Sequence, residues 1–360
     1  HSCRRLQFKS SAERHRSAIK LIINVKSDDM ERRDFLKISA FTAGAALITN
    51  PFSTLADTIS SEETMHAETA PDGGYVPNPK IVRKIEGCGP MDIRKLKIKV
   101  GAKRPFSMLH ISDSHLVLTD SRNDEKKAQL AKFRNREFPW AALYHERLIA
   151  YANKNHLPII HTGDMIDFLS EMGLDYVVEA FSRGEWITSC GNHEFANYMG
   201  WFGPEKEDAE FQSKYFTQVQ EAFPDNLSFT ARVINGVNFI TLDDSFYFIT
   251  QEQWDNVAAE FAKGLPVVMM MHIPFYTPKL YDHTSHGGKK FSYLCGAPSD
   301  TEREDTLTQL FVKWLKEQPQ LKAILTGHLH EFWQEQFSHT AVQYVVGGAF
   351  KGEAYHIRFF

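Results

Sequence analysis

Short apolar runs alternate with longer amphipathic segments between residues 106 and 223. Each apolar run has the length of a buried strand, and each segment between them has the period of a helix with one apolar face. The predicted strands are 106–111, 157–160 and 186–189, and the predicted helices are 139–154, 174–181 and 205–223. Strands that alternate with helices form right-handed βαβ units, so the loops after these strands meet at one edge of a sheet.

The pattern changes after residue 226. Two runs joined by Asn235-Gly236 predict a hairpin on a type I′ turn, and Thr250 and Thr301 are candidate N-caps of two further helices. The predicted elements are the hairpin 227–242, the helices 250–262 and 302–316, and the strands 267–271, 321–325, 332–337, 342–346 and 355–359. Residues 96–100 alternate and predict an edge strand or an N-terminal hairpin. We therefore predict a mixed α/β (α+β) fold, a four-layer αββα sandwich of two mixed β-sheets flanked by helices.

The chain before residue 81 predicts targeting and linker segments. Residues 1–29 are basic, lack apolar periodicity and are interpreted as an upstream or vector-derived segment. Residues 30–56 contain Arg32-Arg33, a short apolar run and small residues ending at Ala56, and resemble a twin-arginine export signal; an amphipathic first helix is the alternative. Residues 57–80 predict a linker, and 81–360 the main domain. The apolar run is too short to span a bilayer, so we expect an exported, periplasmic protein without a stable membrane anchor.

Composition narrows the class of protein. Hydrophobic residues at 42% and aromatic residues at 12% suffice for a packed core. The net charge of -4 gives no sign of a nucleic-acid partner. Four cysteines, Cys3, Cys88, Cys190 and Cys295, show no Cys-x-x-Cys spacing, which argues against a zinc knuckle or a redox pair. A disulfide between Cys88 and Cys295 stays open.

Polar side chains follow five predicted strands. The blocks are Asp113-Ser114-His115, His161 to Asp167, Gly191-Asn192-His193-Glu194, His272, and Gly327-His328-Leu329-His330. They offer carboxylate, amide and imidazole groups, which bind hard and intermediate divalent cations, and none contains a thiolate. Two cations close together need one ligand that reaches both, and Asp164 is the candidate for that position.

Some blocks have simpler interpretations. His272 on an apolar strand is often a hydrogen-bonded core histidine, and Asn192 is a candidate turn cap. His328 and His330 would point the same way if Leu329 were extended, which favours joint ligation. Glu194 is expected to support the ligands, and His110 and His161 receive no role.

The five blocks, in this order, resemble those of the calcineurin-like metallophosphoesterase family between residues 106 and 330. The resemblance implies two groups of ligands that share one carboxylate: Asp113, His115, Asp164 and His330 for the first cation, and Asp164, Asn192, His272 and His328 for the second. It also implies that His193 protonates the leaving-group oxygen and that Asp167 hydrogen-bonds His193, which fixes its tautomer and raises its pKa.

The implied activity is hydrolysis of a phosphate monoester or diester of a small molecule by a hydroxide that bridges two divalent ions, whether Mn, Fe, Zn or Ni. Two differences narrow the subfamily. Phe168 stands where protein Ser/Thr phosphatases have an arginine, and Asp167 stands where purple acid phosphatases have a tyrosine ligand. A nuclease of the same family and a non-catalytic binding module are the alternatives. Substrate and oligomeric state stay open.

Two charged stretches lie outside the blocks. Residues 120–137 predict a solvated helix face in preference to a flap over a substrate. The loop 276–300, rich in His and Lys, begins shortly after His272. It is either an overhang that binds a phosphate or sugar, or a plain surface insertion.

Overall fold

The computed structural model describes residues 88–199, 202, 209–285, 293–297 and 305–360. The predicted export signal and linker lie outside these residues. Within them the strands are β1 Asp92–Ile98, β2 Phe106–Ile111, β3 Ile159–Thr162, β4 Trp186–Ser189, β5 Phe229–Ile234, β6 Val237–Leu242, β7 Val267–Met270, β8 Leu321–Thr326, β9 Trp333–Gln336, β10 Val342–Val345 and β11 Glu353–Phe359. The helices are α1 Glu125–Glu137, α2 Ala141–Lys154, α3 Glu171–Phe181, α4 Ala209–Ala222, α5 Gln251–Phe261, α6 Pro278–Thr284 and α7 Thr306–Lys316.

The strands form two mixed sheets. The first has the order β1-β11-β2-β3-β4, and the second has the order β5-β6-β7-β8-β10-β9. In the first sheet β2, β3 and β4 are parallel, and β11 is antiparallel to β2. In the second sheet β6, β7, β8 and β10 are parallel, with β5 and β9 antiparallel at the two edges.

Three apolar layers separate four layers of structure. Val268 and Met270 of β7 belong to the cluster between the sheets, which also contains Met108 and Ile357 of the first sheet. The alternate residues of β7, Val267 and Met269, belong instead to a cluster with α5 and α7. A third cluster joins β2 and β3 to α2, α3 and α4. Because successive residues of a strand face opposite sides, each central strand is covered on both faces. The predicted αββα sandwich is confirmed.

Several element ends differ from the prediction. The strand that contains residues 96–98 is an edge strand, but it pairs in parallel with β11 and forms no hairpin. α7 begins at Thr306 with Asp305 as its N-cap, so the start predicted at residue 302 is wrong, and Thr301 lies outside the described residues. α6 was not predicted, although Thr277 caps it and Pro278 occupies its first turn. The Thr250 cap is confirmed, and Gln253 completes a capping box.

Three cysteines can be described. Cys88, Cys190 and Cys295 are buried free thiols, so the possible bridge between Cys88 and Cys295 is not formed. In the described part of the chain, no helix combines the length and hydropathy needed to cross a bilayer.

Candidate metal centre

The loops after five parallel strands meet at one end of the sandwich. β2, β3 and β4 of the first sheet lead into the blocks around Asp113, Asp164 and Asn192. β7 and β8 of the second sheet lead into His272 and into the loop with His328 and His330. The carboxyl ends of parallel strands are the usual ligand sites of α/β sheets. Here both sheets contribute, because they are packed face to face.

All seven predicted ligands lie in this region. Two groups of potential ligand atoms, each within 4.8 Å of one another, are Asp113, His115, Asp164 and His330, and Asp164, His272 and His328. Asp164 belongs to both groups, as predicted for a shared carboxylate. The side-chain oxygen of Asn192 lies 3.2 Å from His272 Nε2 and makes no cap hydrogen bond. The capping interpretation of Asn192 is therefore wrong.

Outer hydrogen bonds orient the histidines of both groups. His115 Nδ1 lies 2.9 Å from Asp167 Oδ1, and His272 Nδ1 lies 2.7 Å from the carbonyl oxygen of Thr162. Carboxylate and carbonyl oxygens only accept, so both histidines carry a proton on Nδ1 and direct Nε2 inward. A histidine whose outer nitrogen is held in this way is typical of a metal ligand. The core interpretation of His272 explains its Nδ1 bond, but not the three polar groups around its Nε2.

The inward donor atoms fit divalent cations. His115 Nε2 lies 2.9 Å from His330 Nε2, and His272 Nε2 lies 3.1 Å from Asp164 Oδ2. Burial opposes charge on His272, but Asp164 outweighs it and raises the pKa of His272 to about 10. Protons and metal ions compete for this imidazole nitrogen. Burial lowers the pKa values of His115 to about 4 and of His328 to about 3, which leaves neutral imidazole ligands.

The backbone of this centre is conformationally unusual. Five candidate ligands have positive φ angles: Asp113 56°, His115 44°, Asp164 55°, His328 70° and His330 55°. L-residues rarely adopt this region, and such residues concentrate at functional sites. The loop after β8 is therefore not extended, so the condition under which its two histidines would point the same way is not met, although both lie at the centre. The turn sends His328 to the group with His272, and His330 to the group with Asp113.

His193 lies at the open side of the centre. Its side chain is 13% exposed, and its Nε2 is 4.0 Å from Asp164 Oδ2. Its Nδ1 donates to the carbonyl oxygen of Asp167 at 2.7 Å, and the Asp167 carboxylate is 3.4 Å away. Burial opposes charge on His193, but Asp164 and Asp167 raise its pKa to about 10. The expected link to Asp167 exists, but its shortest contact is through the backbone, because the carboxylate is bound to His115 and to Arg134.

Glu194 ties two ligand loops together. Its carboxylate accepts hydrogen bonds from the backbone amides of Gly191, Asp164, Met165 and Ile166 at 2.6 to 3.3 Å. Burial raises its pKa to about 7, with Asp164 adding to the effect. Its position supports the loops without placing an oxygen in either ligand group, as expected for this residue.

Sequence reasoning missed two residues that contact the centre. Arg134 of α1 binds the Asp167 carboxylate, and the Tyr247 hydroxyl lies 3.2 Å from His328 Nε2. The prediction of a solvated helix face holds for Lys126, Lys132 and Arg136, which are exposed. It is wrong for Lys127, which is 6% exposed, and for Arg134, whose side chain is 14% exposed. Charge alone did not show which basic residues turn inward.

Three further histidines support the first sheet. His110 Nε2 lies 2.9 Å from the Thr162 hydroxyl, and the Ser114 hydroxyl contacts His145 at 2.8 Å and His161 at 3.0 Å. All three rings are fully buried, and burial lowers their pKa values, so they are neutral. His145 and His161 hold Ser114 between two candidate ligands, and His110 supports Thr162 of β3.

Tyr293 brings the 276–300 loop beside the centre. The Tyr293 ring is 6.4 Å from the His328 ring, and His283 stacks on Trp333 at 4.4 Å. Phe275 and Cys295 form an isolated parallel β-bridge, through backbone pairing, at the base of the loop. Residues 286–292, including Lys289 and Lys290, and residues 298–300 lie outside the described residues.

Known proteins give an independent comparison. A family model described as calcineurin-like phosphoesterase matches residues 106–332. Curated proteins give no match. Among solved structures, the chain is similar to a dimetal phosphatase from Danio rerio at 11% identity, over 68% of this chain and 88% of that chain, with a TM-score of 0.40.

Two other solved structures are similar at 13% identity. One is a 5′-nucleotidase from Candida albicans, covering 72% of this chain and 47% of that chain with a TM-score of 0.37. The other is a phosphopantetheinyl hydrolase from Mycobacterium tuberculosis, covering 68% and 90% with a TM-score of 0.33. This chain thus spans about half of the nucleotidase. Because the family model matches well over half of the chain, the protein belongs to the calcineurin-like phosphoesterase family.

Proposed function

We propose that the protein hydrolyses phosphate esters of small molecules with two divalent cations, and that its seven candidate ligands hold them. The observation that carries the proposal is the pair of ligand groups that share Asp164. The first cation would be held by Asp113, His115, Asp164 and His330, and the second by Asp164, Asn192, His272 and His328. The donor set of imidazole, amide and carboxylate suits Mn, Fe, Zn or Ni.

When bound, the cations would polarise the phosphoryl oxygens and supply a bridging hydroxide as the nucleophile. The residues of the chain do the remaining work. Asp164 is buried between the two groups, and its Oδ1 accepts the backbone amide of His193 at 2.9 Å. This bond fixes His193 relative to the shared carboxylate. With Nδ1 held by the Asp167 carbonyl, His193 keeps Nε2 beside the centre, 4.0 Å from Asp164 Oδ2, to protonate the leaving oxygen.

The test is hydrolysis of p-nitrophenyl phosphate and bis-p-nitrophenyl phosphate by chelator-treated protein with Mn²⁺, Zn²⁺, Fe²⁺, Ni²⁺ or Mg²⁺ restored. Asp164→Asn should remove turnover together with metal binding. His193→Ala should lower kcat by about 100-fold or more while both cations still bind. His339→Ala, at an exposed histidine, is the matched control and should retain activity. Cations bound without turnover on any ester would favour the binding module, and cleavage of single-stranded DNA would favour the nuclease.

The ratio of the two rates identifies the ester class. A monoesterase must accommodate a dianionic phosphoryl group, whereas a diesterase needs room for a second ester substituent beside the cations. Preference for p-nitrophenyl phosphate would indicate a monoester substrate, and preference for the bis ester would indicate a diester. A small-molecule substrate fits a mildly acidic chain with a net charge of -4.

We also propose that residues 30–56 direct export through the twin-arginine route. The Arg32-Arg33 pair before a short apolar run supports this proposal. A reporter carrying residues 30–80 should reach the periplasm, and replacement of both arginines by lysine should retain it in the cytoplasm. Export of both forms would remove the proposal.

A further inference from the structure

The last turn of α1 contacts the candidate ligand His115 through two routes. In the first, the Arg134 guanidinium forms a fork on Asp167, with Nε 2.6 Å from Oδ2 and a terminal nitrogen 2.8 Å from Oδ1. The same Oδ1 lies 2.9 Å from His115 Nδ1. The fork therefore fixes the plane of the carboxylate that holds the outer nitrogen of the imidazole.

The second route runs through Phe138, which follows α1. Its ring lies parallel to the His115 ring, with the centroids 4.5 Å apart and 2° between the planes. The Arg134 guanidinium carbon lies 4.8 Å from the centroid of Phe138. Arg134 thus restrains the imidazole in its plane through Asp167 and packs against the ring that covers its face.

Burial explains why Asp167 needs a cationic partner. Its side chain is 0% exposed, and that of Arg134 is 14% exposed. A buried carboxylate that loses the charge and both hydrogen bonds of the fork is destabilised in its position, so removal of Arg134 would let the Asp167 side chain turn away from His115. That displacement removes the acceptor that keeps the proton of His115 on Nδ1 and its Nε2 free.

We infer that Arg134 is a positioning residue for the metal centre: through Asp167 it sets the tautomer and orientation of His115, and hence the affinity of one of the two cation sites. The inference rests on the ligand assignment in the proposed function. Partners that orient a ligating histidine typically change metal affinity by about 10- to 100-fold. The effect should fall on the site that contains His115, because the outer partners of His272 and His328 are Thr162 and Tyr247.

The experiment measures Mn²⁺ binding to chelator-stripped protein by isothermal titration calorimetry, and the visible absorption of the Co²⁺ form. Arg134→Met keeps the aliphatic stem but removes the fork. Arg134→Lys keeps the charge and offers no fork. Arg136→Met changes an exposed arginine of the same helix and is the matched control. Circular dichroism in the presence of EDTA checks that each variant is folded.

The expected result is selective. Arg134→Met should weaken one of two Mn²⁺ sites by about 10- to 100-fold and alter the Co²⁺ spectrum, whereas Arg136→Met should match the wild type. Wild-type affinity at both sites in Arg134→Met would overturn the inference and leave the proposed function intact. If Arg134→Met does not fold, Arg134→Lys decides: weakening of one site supports the inference, and wild-type binding overturns it. A wild-type protein that binds no cation would overturn the proposed function and this inference together.

Discussion

Replacement of Gly191 by alanine would test whether the shared carboxylate must stay where the structure places it. Gly191 has no positive φ angle, so alanine is compatible with its backbone. The added Cβ would overlap Asp164 Oδ1 and would lie 2.9 Å from Asp164 Cγ and 2.7 Å from its backbone nitrogen. The substitution therefore acts directly on the residue that belongs to both ligand groups.

The size of the displacement follows from these distances. Ordinary Cβ contacts begin near 3.4 Å, so the Asp164 carboxyl carbon, at 2.9 Å, must move by about 0.5 Å, and Oδ1 by more. Functional constellations tolerate errors of about 0.5 Å, and a misplacement of about 1 Å can cost on the order of 100-fold in rate. We expect kcat for the better nitrophenyl ester to fall by about 30- to 100-fold. Overpacking should also cost about 1–3 kcal/mol of stability.

The assay is steady-state hydrolysis at saturating metal, together with metal content and thermal unfolding. Gly184→Ala is the control, since its Cβ would approach neighbours only to 3.7 Å. Both variants carry the same chemical change, so a difference between them reports the space around Asp164. Gly191→Ala with activity within about threefold of Gly184→Ala would refute the reasoning, because it would mean that the centre absorbs the displacement at no cost.

Three other predictions concern the surroundings of the centre and the packing of α3. Burial, reinforced by Glu146 and opposed by Arg183, raises the pKa of Glu179 from 4.5 to about 7. Because the folded state holds this proton more tightly, the free energy of unfolding should fall by at most about 3 kcal/mol as the pH rises from 4.5 through 7. Urea unfolding at pH 5 and pH 8 measures this loss, and Glu179→Gln should abolish it. If the free energies of unfolding of the wild type and Glu179→Gln changed with pH in the same way, the raised pKa would be contradicted. Tyr247→Phe should weaken one Mn²⁺ site by about 10-fold in calorimetry, through loss of the hydroxyl near His328; unchanged binding would count against an orienting role. Each carboxylate oxygen of Glu194 accepts from two backbone N–H groups, so the NH₂ group of Glu194→Gln would face two donors in either orientation. Activity and thermal stability should therefore both fall. Retention of both would contradict the role of Glu194 in joining the loops.

The strands and the ligand blocks were predictable because both are local features of the sequence. Runs such as 106–111 are short, apolar and bounded by polar residues, and the observed β2 has the same limits. Each ligand block directly follows such a run, so its place at a sheet edge follows from βαβ geometry. The pairing of β1 with β11 was not predictable in this way, because it joins residues from the two ends of the domain. Side-chain pattern alone does not identify such a distant partner.

The support of the centre was less predictable than its ligands. Arg134 lies in a run of charged residues in which Lys132 and Arg136 have the same charge and face solvent. The role of Arg134 depends on which side of α1 faces Asp167. Tertiary packing determines that orientation, and the composition of the helix does not show it. The loop after β8 was misjudged for a similar reason. Joint ligation by His328 and His330 was favoured on the condition of an extended backbone, but both residues adopt left-handed angles, which their residue types do not predict.

The left-handed backbone angles of the candidate ligand residues bear on what holds the ligand loops in place. Each such residue costs on the order of 1 kcal/mol or more, so the arrangement persists only where surrounding bonds determine it. Those bonds are made between protein groups: the backbone amide of His328 donates to Asp113, and the amides of His193 and Gly191 donate to Asp164 and Glu194. The fold therefore holds the ligand loops in place through protein contacts, and cation binding need not drive their folding. Chelator-stripped protein should accordingly retain its near-ultraviolet circular dichroism, and a collapse of that signal on metal removal would show that the cations, and not the hydrogen bonds, hold the loops.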